Sequence, residues 1–127
     1  MTTPPPAGPA IPPPAGPYSP IVAAGDWLVT AGQIGVGPDG DLLDGIEAQT
    51  AQCMANIRTL LESKGAGMDK VVKTTVFLAD IADWTRMNGP YEEALQGHKP
   101  ARSAFQVGAL PRGALVEIEA WAYVAAE

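Results

Sequence analysis

The run Val116-Glu117-Ile118-Glu119-Ala120-Trp121-Ala122-Tyr123-Val124 alternates without interruption and constrains the fold more than any other segment. Strand side chains point to opposite faces with period two, so Val116, Ile118, Ala120, Ala122 and Val124 share an apolar face. Glu117, Glu119, Trp121 and Tyr123 lie opposite. The apolar face needs a cover, which makes this a half-buried strand. A face that mixes carboxylates with large aromatics suits a site or a subunit contact better than a core or an ordinary wet surface. The run from Pro100 alternates too, with Arg102, Ala104 and Gln106 on one face and Ser103, Phe105 and Val107 on the other. Between the two runs, Leu110-Pro111-Arg112-Gly113 reads as the turn of a hairpin that brings guanidinium and carboxylate near each other.

A chain of 127 residues is expected to form one domain that removes about two-thirds of its unfolded surface from water. The formal charge of −6 and the scatter of eight Lys and Arg residues exclude a nucleic-acid partner, because such affinity rests on clustered cations. No apolar stretch approaches the roughly 20 residues that span a bilayer, so no membrane partner is expected. Cys53 alone cannot form an internal disulfide. No charged segment followed by an apolar one opens the chain, and a cytoplasmic location is expected.

Nine of the thirteen prolines fall in the first twenty residues. Residues 1–15 therefore read as a tail, an extended lead-in or a polyproline ligand for an aromatic groove, and residues 16–127 as the single domain. Tyr18 to Ala24 and Trp27 to Ile34 read as a hairpin around Gly25-Asp26. Gly35-Val36-Gly37-Pro38-Asp39-Gly40 lacks the Gly-Lys-Ser/Thr ending of a phosphate loop and reads as a turn. Asp44 with Glu47 resembles a helix start. Ile46, Thr50, Cys53, Met54, Ile57, Leu60 and Leu61 then recur at helical spacing up to Gly65, with Gln49, Gln52, Asn56, Arg58 and Glu62 outward. Val71 to Leu78 is β-branched and reads as a strand, with Val72, Thr74, Val76 and Leu78 on one face. A second helical segment spans Asp83 to Leu95, and Pro90 divides or kinks it near Gly89. The order strand, strand, helix, strand, helix, strand, strand predicts an α+β layer, a mixed sheet with two helices packed on one face.

One histidine and one cysteine far apart cannot supply a transition-metal site, so no metal is expected. Cys53, inside an apolar stripe, reads as a buried small hydrophobe, and His98 is placed in an exposed loop. A serine triad lacks both a second histidine and a nucleophile elbow. The pair Arg102 and Glu117 remains. It is either an ion pair that ties two strands or a working pair in which Arg102 grips a substrate carboxylate in a two-pronged fork. Hydrogen bonds to charged groups contribute on the order of 1.5 to 3 kcal/mol each, enough to orient a small acid. Glu117 would then handle a proton or a water, with Tyr18, Phe77 or Trp121 as walls.

With these residues in view, the chain resembles the RidA (YjgF/YER057c/UK114) family of enamine and imine deaminases, from Gly16 to Ala122. Matching pieces are Gly16-Pro17-Tyr18-Ser19, Gly32-Gln33-Ile34, Gln49-Thr50 through Asn56-Ile57, and Val72-Lys73-Thr74-Thr75-Val76-Phe77-Leu78. Asn88, Tyr91, Pro100-Ala101-Arg102-Ser103, Leu110-Pro111 and Val116-Glu117-Ile118-Glu119-Ala120 complete the set.

The resemblance implies a chorismate-mutase-like (YjgF/L-PSP) fold and a homotrimer with sites in the clefts between subunits. It implies a cofactor-independent hydrolysis of 2-imino acids, such as 2-iminopropanoate and 2-iminobutanoate, to 2-keto acids and ammonia. Carried over, the carboxylate-binding arginine is Arg102 and the water-positioning acid is Glu117, with Glu119 its neighbour on the same face. Tyr18, Ala31, Asn88 and Ala104 fall on substrate-binding positions. Two of these depart from the family. Many members carry serine at Ala31 and cysteine or threonine at Ala104, so two polar side chains are absent while the backbone groups remain. Other readings are a non-catalytic small-carboxylate-binding or stress-protective protein, and a deaminase for a different enamine such as 2-aminomuconate.

Overall fold

The computed structural model describes Pro14 and residues 16–125. Of the expected proline-rich lead-in, only Pro14 falls among them, so that reading lies outside the described residues. The uninterrupted alternation of β6 (Val116–Tyr123) places it inside a six-stranded mixed sheet. On one edge β6 pairs antiparallel with β2 (Trp27–Thr30) and then with the short β3 (Gln33–Ile34). On its other edge it pairs with β4 (Val71–Leu78). Outermost are β1 (Ile21–Ala24), antiparallel to β2, and β5 (Ala101–Gln106), parallel to β4. The strand order is β1-β2-β6-β4-β5, with β3 on β6.

The expected final hairpin is therefore not formed. β4 lies between β5 and β6, and the segment containing Pro111–Gly113 crosses over β4 instead of turning tightly. Arg112 adopts a left-handed conformation (φ 60°) there and donates to the Gly40 carbonyl at 3.0 Å, which ties the crossover to the Gly37–Gly40 turn. The expected single strand from Trp27 to Ile34 is likewise two, broken at Ala31-Gly32. Thr30 bridges the break by accepting the Ala120 N–H on its hydroxyl at 3.0 Å.

Helix α1 (Ile46–Glu62) covers the face of β6 that carries Val116, Ile118, Ala120 and Ala122, and all the expected apolar stripe residues are buried. Fully burying a side chain such as Ile57 or Leu61 contributes about 1.5 to 3 kcal/mol. The helix begins after Gly45, whose φ of 91° suits only glycine, and not at a capping box on Asp44. Gln49 and Asn56 correct the expected outward face, because both are buried. Their amides satisfy backbone that the sheet leaves unpaired. Gln49 donates to Leu43 O and accepts from Leu115 N, while Asn56 donates to Ile34 O and Val36 O.

The second helical segment is two pieces, a 3-10 turn at Ile81–Trp84 and α2 (Asn88–Leu95). Pro90 sits in the first turn of α2, where its missing N–H has no helical acceptor to lose. Tyr91 and Leu95 point into the core, and so does Met87 just before the helix. In β4 a register shift between Val71 and Lys73 turns Val72 outward, while Thr74, Val76 and Leu78 stay buried as expected. His98 is partly buried, and its Nε2 donates to the Val71 carbonyl at 2.6 Å, so it is a structural link and not a free loop residue.

Asn56→Ala leaves the Val36 carbonyl without its side-chain donor in a buried position, while the Ile34 carbonyl keeps the Val36 N–H at 2.8 Å. Urea denaturation is expected to show a loss of about 1 to 3 kcal/mol.

Candidate functional site

Arg102 stands on β5 directly beside Thr74 of β4, and Ala104 beside Val76. Thr74 and Val76 are buried under the helices, so Arg102 and Ala104 face the helical layer. There the guanidinium meets α2. Its Nη1 donates to Asn88 Oδ1 at 2.8 Å, and its carbon lies 4.9 Å from the centroid of Tyr91 and 5.9 Å from that of Trp84. The Tyr91 hydroxyl is bonded to Thr74 Oγ1 at 2.7 Å in the interior. Among the described residues no carboxylate lies within salt-bridge distance of Arg102. It is a half-buried cation held only by a neutral amide and aromatic rings, which leaves most of its five N–H donors for an anion. A groove of about 670 Å³ opens beside it, walled by Tyr91, Leu95, His98, Lys99 and Pro100, with Glu92 and Glu93 of α2 also on its lining.

Glu117 pairs with Phe77 of β4 and with Ile34 of β3, on the sheet face that carries no helix. Phe77 continues the row to Phe105, the two rings meeting edge to face at 5.2 Å. Gly32 presses its backbone against the Glu117 carboxyl. A Cβ at that position would come within 2.7 Å of both the carboxyl carbon and Oε2. Only glycine permits this approach. Burial, and after it the Glu119 charge, push the Glu117 carboxyl above the usual carboxylate range. A raised carboxyl is better matched to accepting a proton near neutral pH than an ordinary one.

Arg102 and Glu117 thus lie on opposite faces of the sheet with β4 between them, and the expected tie between two strands is absent. Asn88, Ala104 and Arg102 are gathered at the α2 edge. Ala31 adjoins Gly32 and so belongs with Glu117, its N–H donating to Pro20 O at 2.8 Å. Tyr18 precedes β1 and is largely exposed. Phe77, one of the suggested walls, is the cross-strand neighbour of Glu117, whereas Trp121 lies beside Val29 and Lys73. Pattern reading missed the Trp84, Tyr91 and Thr74 surroundings of Arg102. The one available signal was the spacing of Asn88 and Tyr91, a single helical turn apart.

The remaining candidates carry no site. The Cys53 thiol is buried under Val116 O at 3.8 Å, and desolvation pushes it far up, so it is inert as a nucleophile. Among the described residues no three His, Cys, Asp or Glu side chains cluster as metal ligands, and no helix is long and apolar enough to cross a membrane.

Residues 9–124 match the family model described as endoribonuclease L-PSP. The chain is 44% identical over 105 residues to a 2-iminobutanoate/2-iminopropanoate deaminase of Rattus norvegicus, covering 81% of this chain and 77% of that protein. A crystal structure of RidA from an Antarctic Psychrobacter superposes with a TM-score of 0.85 at 38% identity, covering 89% of this chain and 93% of the other. That of E. coli TdcF with bound serine superposes with a TM-score of 0.86 at 31% identity, covering 90% and 93%.

The raised Glu117 carboxyl has a thermodynamic consequence. The folded chain holds that proton more tightly than the unfolded chain, so stability falls as pH rises from the unfolded carboxyl value through the folded one. Glu117→Gln removes the cost of the buried charge. Thermal melts across pH are expected to show the variant above the parent at pH 7, with the difference closing below about pH 4.

Proposed function

Since the chain belongs to the endoribonuclease L-PSP family, the RidA (YjgF/YER057c/UK114) family, we propose that it hydrolyses small 2-imino acids to 2-keto acids and ammonia. The observation that carries this reading is Arg102, a partly buried cation with no carboxylate within salt-bridge distance among the described residues and an open groove beside it. Such a group binds a small carboxylate in two-pronged fashion. Glu117 takes a proton from a water whose oxygen adds to the imine carbon, and the carbon–nitrogen π pair moves to nitrogen, which receives that proton back from Glu117. The second water proton then passes through Glu117 from the new hydroxyl to nitrogen, the oxygen pair forms the keto carbonyl as the carbon–nitrogen bond breaks, and ammonia leaves. The substrate carbon is already electrophilic, so holding the two reactants in line supplies much of the acceleration. Imines of pyruvate and 2-oxobutanoate size, 2-iminopropanoate and 2-iminobutanoate, are the proposed substrates.

The active unit is a homotrimer with sites between subunits. Within one chain Arg102 and Glu117 are on opposite faces, so a site that uses both draws one from each of two copies. The face bearing Glu117 exposes Val22, Trp27, Phe105 and Tyr123, an apolar surface of the kind that a second copy covers. RNA cleavage is disfavoured by the net charge of −6 and the lack of any basic stripe. The alanines at 31 and 104 leave backbone groups where many relatives have polar side chains. Ala104 also leaves more room, which favours imino acids with bulkier side chains.

A coupled assay, in which an amino acid oxidase generates imino acids in place, is expected to show accelerated keto acid release. Binding of small carboxylates without acceleration would instead favour a non-catalytic binding protein. Arg102→Lys is expected to lose activity about ten- to a hundredfold while the trimer persists.

Mixing inactive Arg102→Ala and Glu117→Ala chains under exchange tests the shared site. Random mixed trimers restore about a quarter of the sites if each site draws on two copies. No recovery would show that both residues act from one chain.

A further inference from the structure

The Arg102 guanidinium is oriented by a short internal chain of contacts that starts in the sheet, and this inference rests on the reading of Arg102 as the carboxylate clamp. Thr74 is 1% exposed and stands directly beside Arg102 across the β4–β5 ladder. Its hydroxyl is bonded to the hydroxyl of Tyr91 at 2.7 Å, and Tyr91 is itself buried at 6%. Buried hydroxyls without a partner are costly, so this bond fixes both the χ angles of Tyr91 and the seating of α2 on the sheet.

The ring held in this way lies 4.9 Å from the guanidinium carbon. Asn88, three residues earlier and therefore on the same side of α2, accepts from Nη1 at 2.8 Å. Ring and amide together restrain the plane and the rotation of the fork. Asn88 takes a donor at one end, which leaves the Nε and Nη2 edge with the parallel pair of N–H groups that a carboxylate matches. Burial keeps the Tyr91 hydroxyl above its ordinary pKa, so its proton is present throughout the physiological range.

We propose that Thr74 and Tyr91 are positioning residues of the carboxylate clamp: their buried hydroxyl bond holds the Tyr91 ring under Arg102 and so sets the orientation in which the substrate carboxylate is bound. Thr74 is buried beneath the groove, and Tyr91, whose ring forms part of the groove wall, acts through Arg102. Their contribution is made equally to ground state and transition state, so it appears in KM and in carboxylate affinity and not in kcat.

The test compares Tyr91→Phe, Thr74→Val, the double variant and Thr74→Ser, each as the full chain, by imino acid kinetics and by calorimetric titration with 2-oxobutanoate. Tyr91→Phe and Thr74→Val are each expected to raise KM and the 2-oxobutanoate Kd about three- to tenfold with kcat within about twofold. The double variant is expected to be no worse than either single one, because both break the same bond. Thr74→Ser, which keeps the hydroxyl, is expected to restore binding. Lower melting temperatures with unchanged KM and Kd would overturn the proposal, and so would additive effects of the two substitutions. An Arg102→Lys arm separates the two levels. If that variant binds 2-oxobutanoate as well as the parent does, the clamp reading fails; if it binds weakly while Tyr91→Phe binds normally, only the positioning role fails.

Discussion

β6 is the strand on which the rest of the molecule depends. It pairs with β2 and β3 on one edge and β4 on the other, so every other part of the sheet is registered against it directly or through one neighbour. Shifting it by one residue would move Val116, Ile118, Ala120 and Ala122 out of the core and put two glutamates under α1. The cost of that exchange, four apolar side chains exposed and two carboxylates buried, fixes the register. The same alternation that builds the core places Glu117 on the face without helices.

Two departures from regular pairing shape the neighbourhood of the site. At Ala31-Gly32 the ladder on β6 is interrupted and the backbone closes on the Glu117 carboxyl, while the Thr30 hydroxyl takes up the Ala120 N–H. At the other end of the sheet, β5 joins β4 in parallel and not β6. That arrangement separates Arg102 from Glu117 by a full strand and by the thickness of the sheet, and the ion pair that would have quenched both charges cannot form within the chain. Arg102 rests instead on uncharged partners, and Glu117 has a like charge for a neighbour. Both remain available to groups outside the chain.

The likeness to structures of RidA and TdcF covers about nine-tenths of this chain, so the arrangement of strands and helices belongs to the family at large. Ala104 lies on the edge strand two residues from Arg102 on the same face, and Ala31 lies beside the glycine that contacts Glu117. Neither alanine adds a polar side-chain group to the surroundings of the two charged residues, and charge interactions strengthen where water is scarcer.

Sequence alone determined the elements whose signal is local. The strict alternation of β6, the β-branched run of β4 and the three-and-four spacing of α1 each encode which side is buried, because burial of apolar area is paid residue by residue along the element. That the second helical segment divides was legible from Pro90, although the division falls at residues 85–87 and Gly89 lies inside α2, and the inertness of Cys53 was legible from its place in an apolar stripe. Which strands become neighbours is a different matter. The Leu110–Gly113 segment has the composition of a hairpin turn, yet the chain crosses β4 there, and no local propensity distinguishes a tight turn from a short crossover. Gln49 and Asn56 looked outward for the same reason: polarity signals solvent unless an unpaired carbonyl or amide waits inside, and those groups exist only after the sheet has formed. Tertiary structure therefore decided the partners of Arg102 and the separation of Arg102 from Glu117, since both follow from pairing between segments distant in sequence.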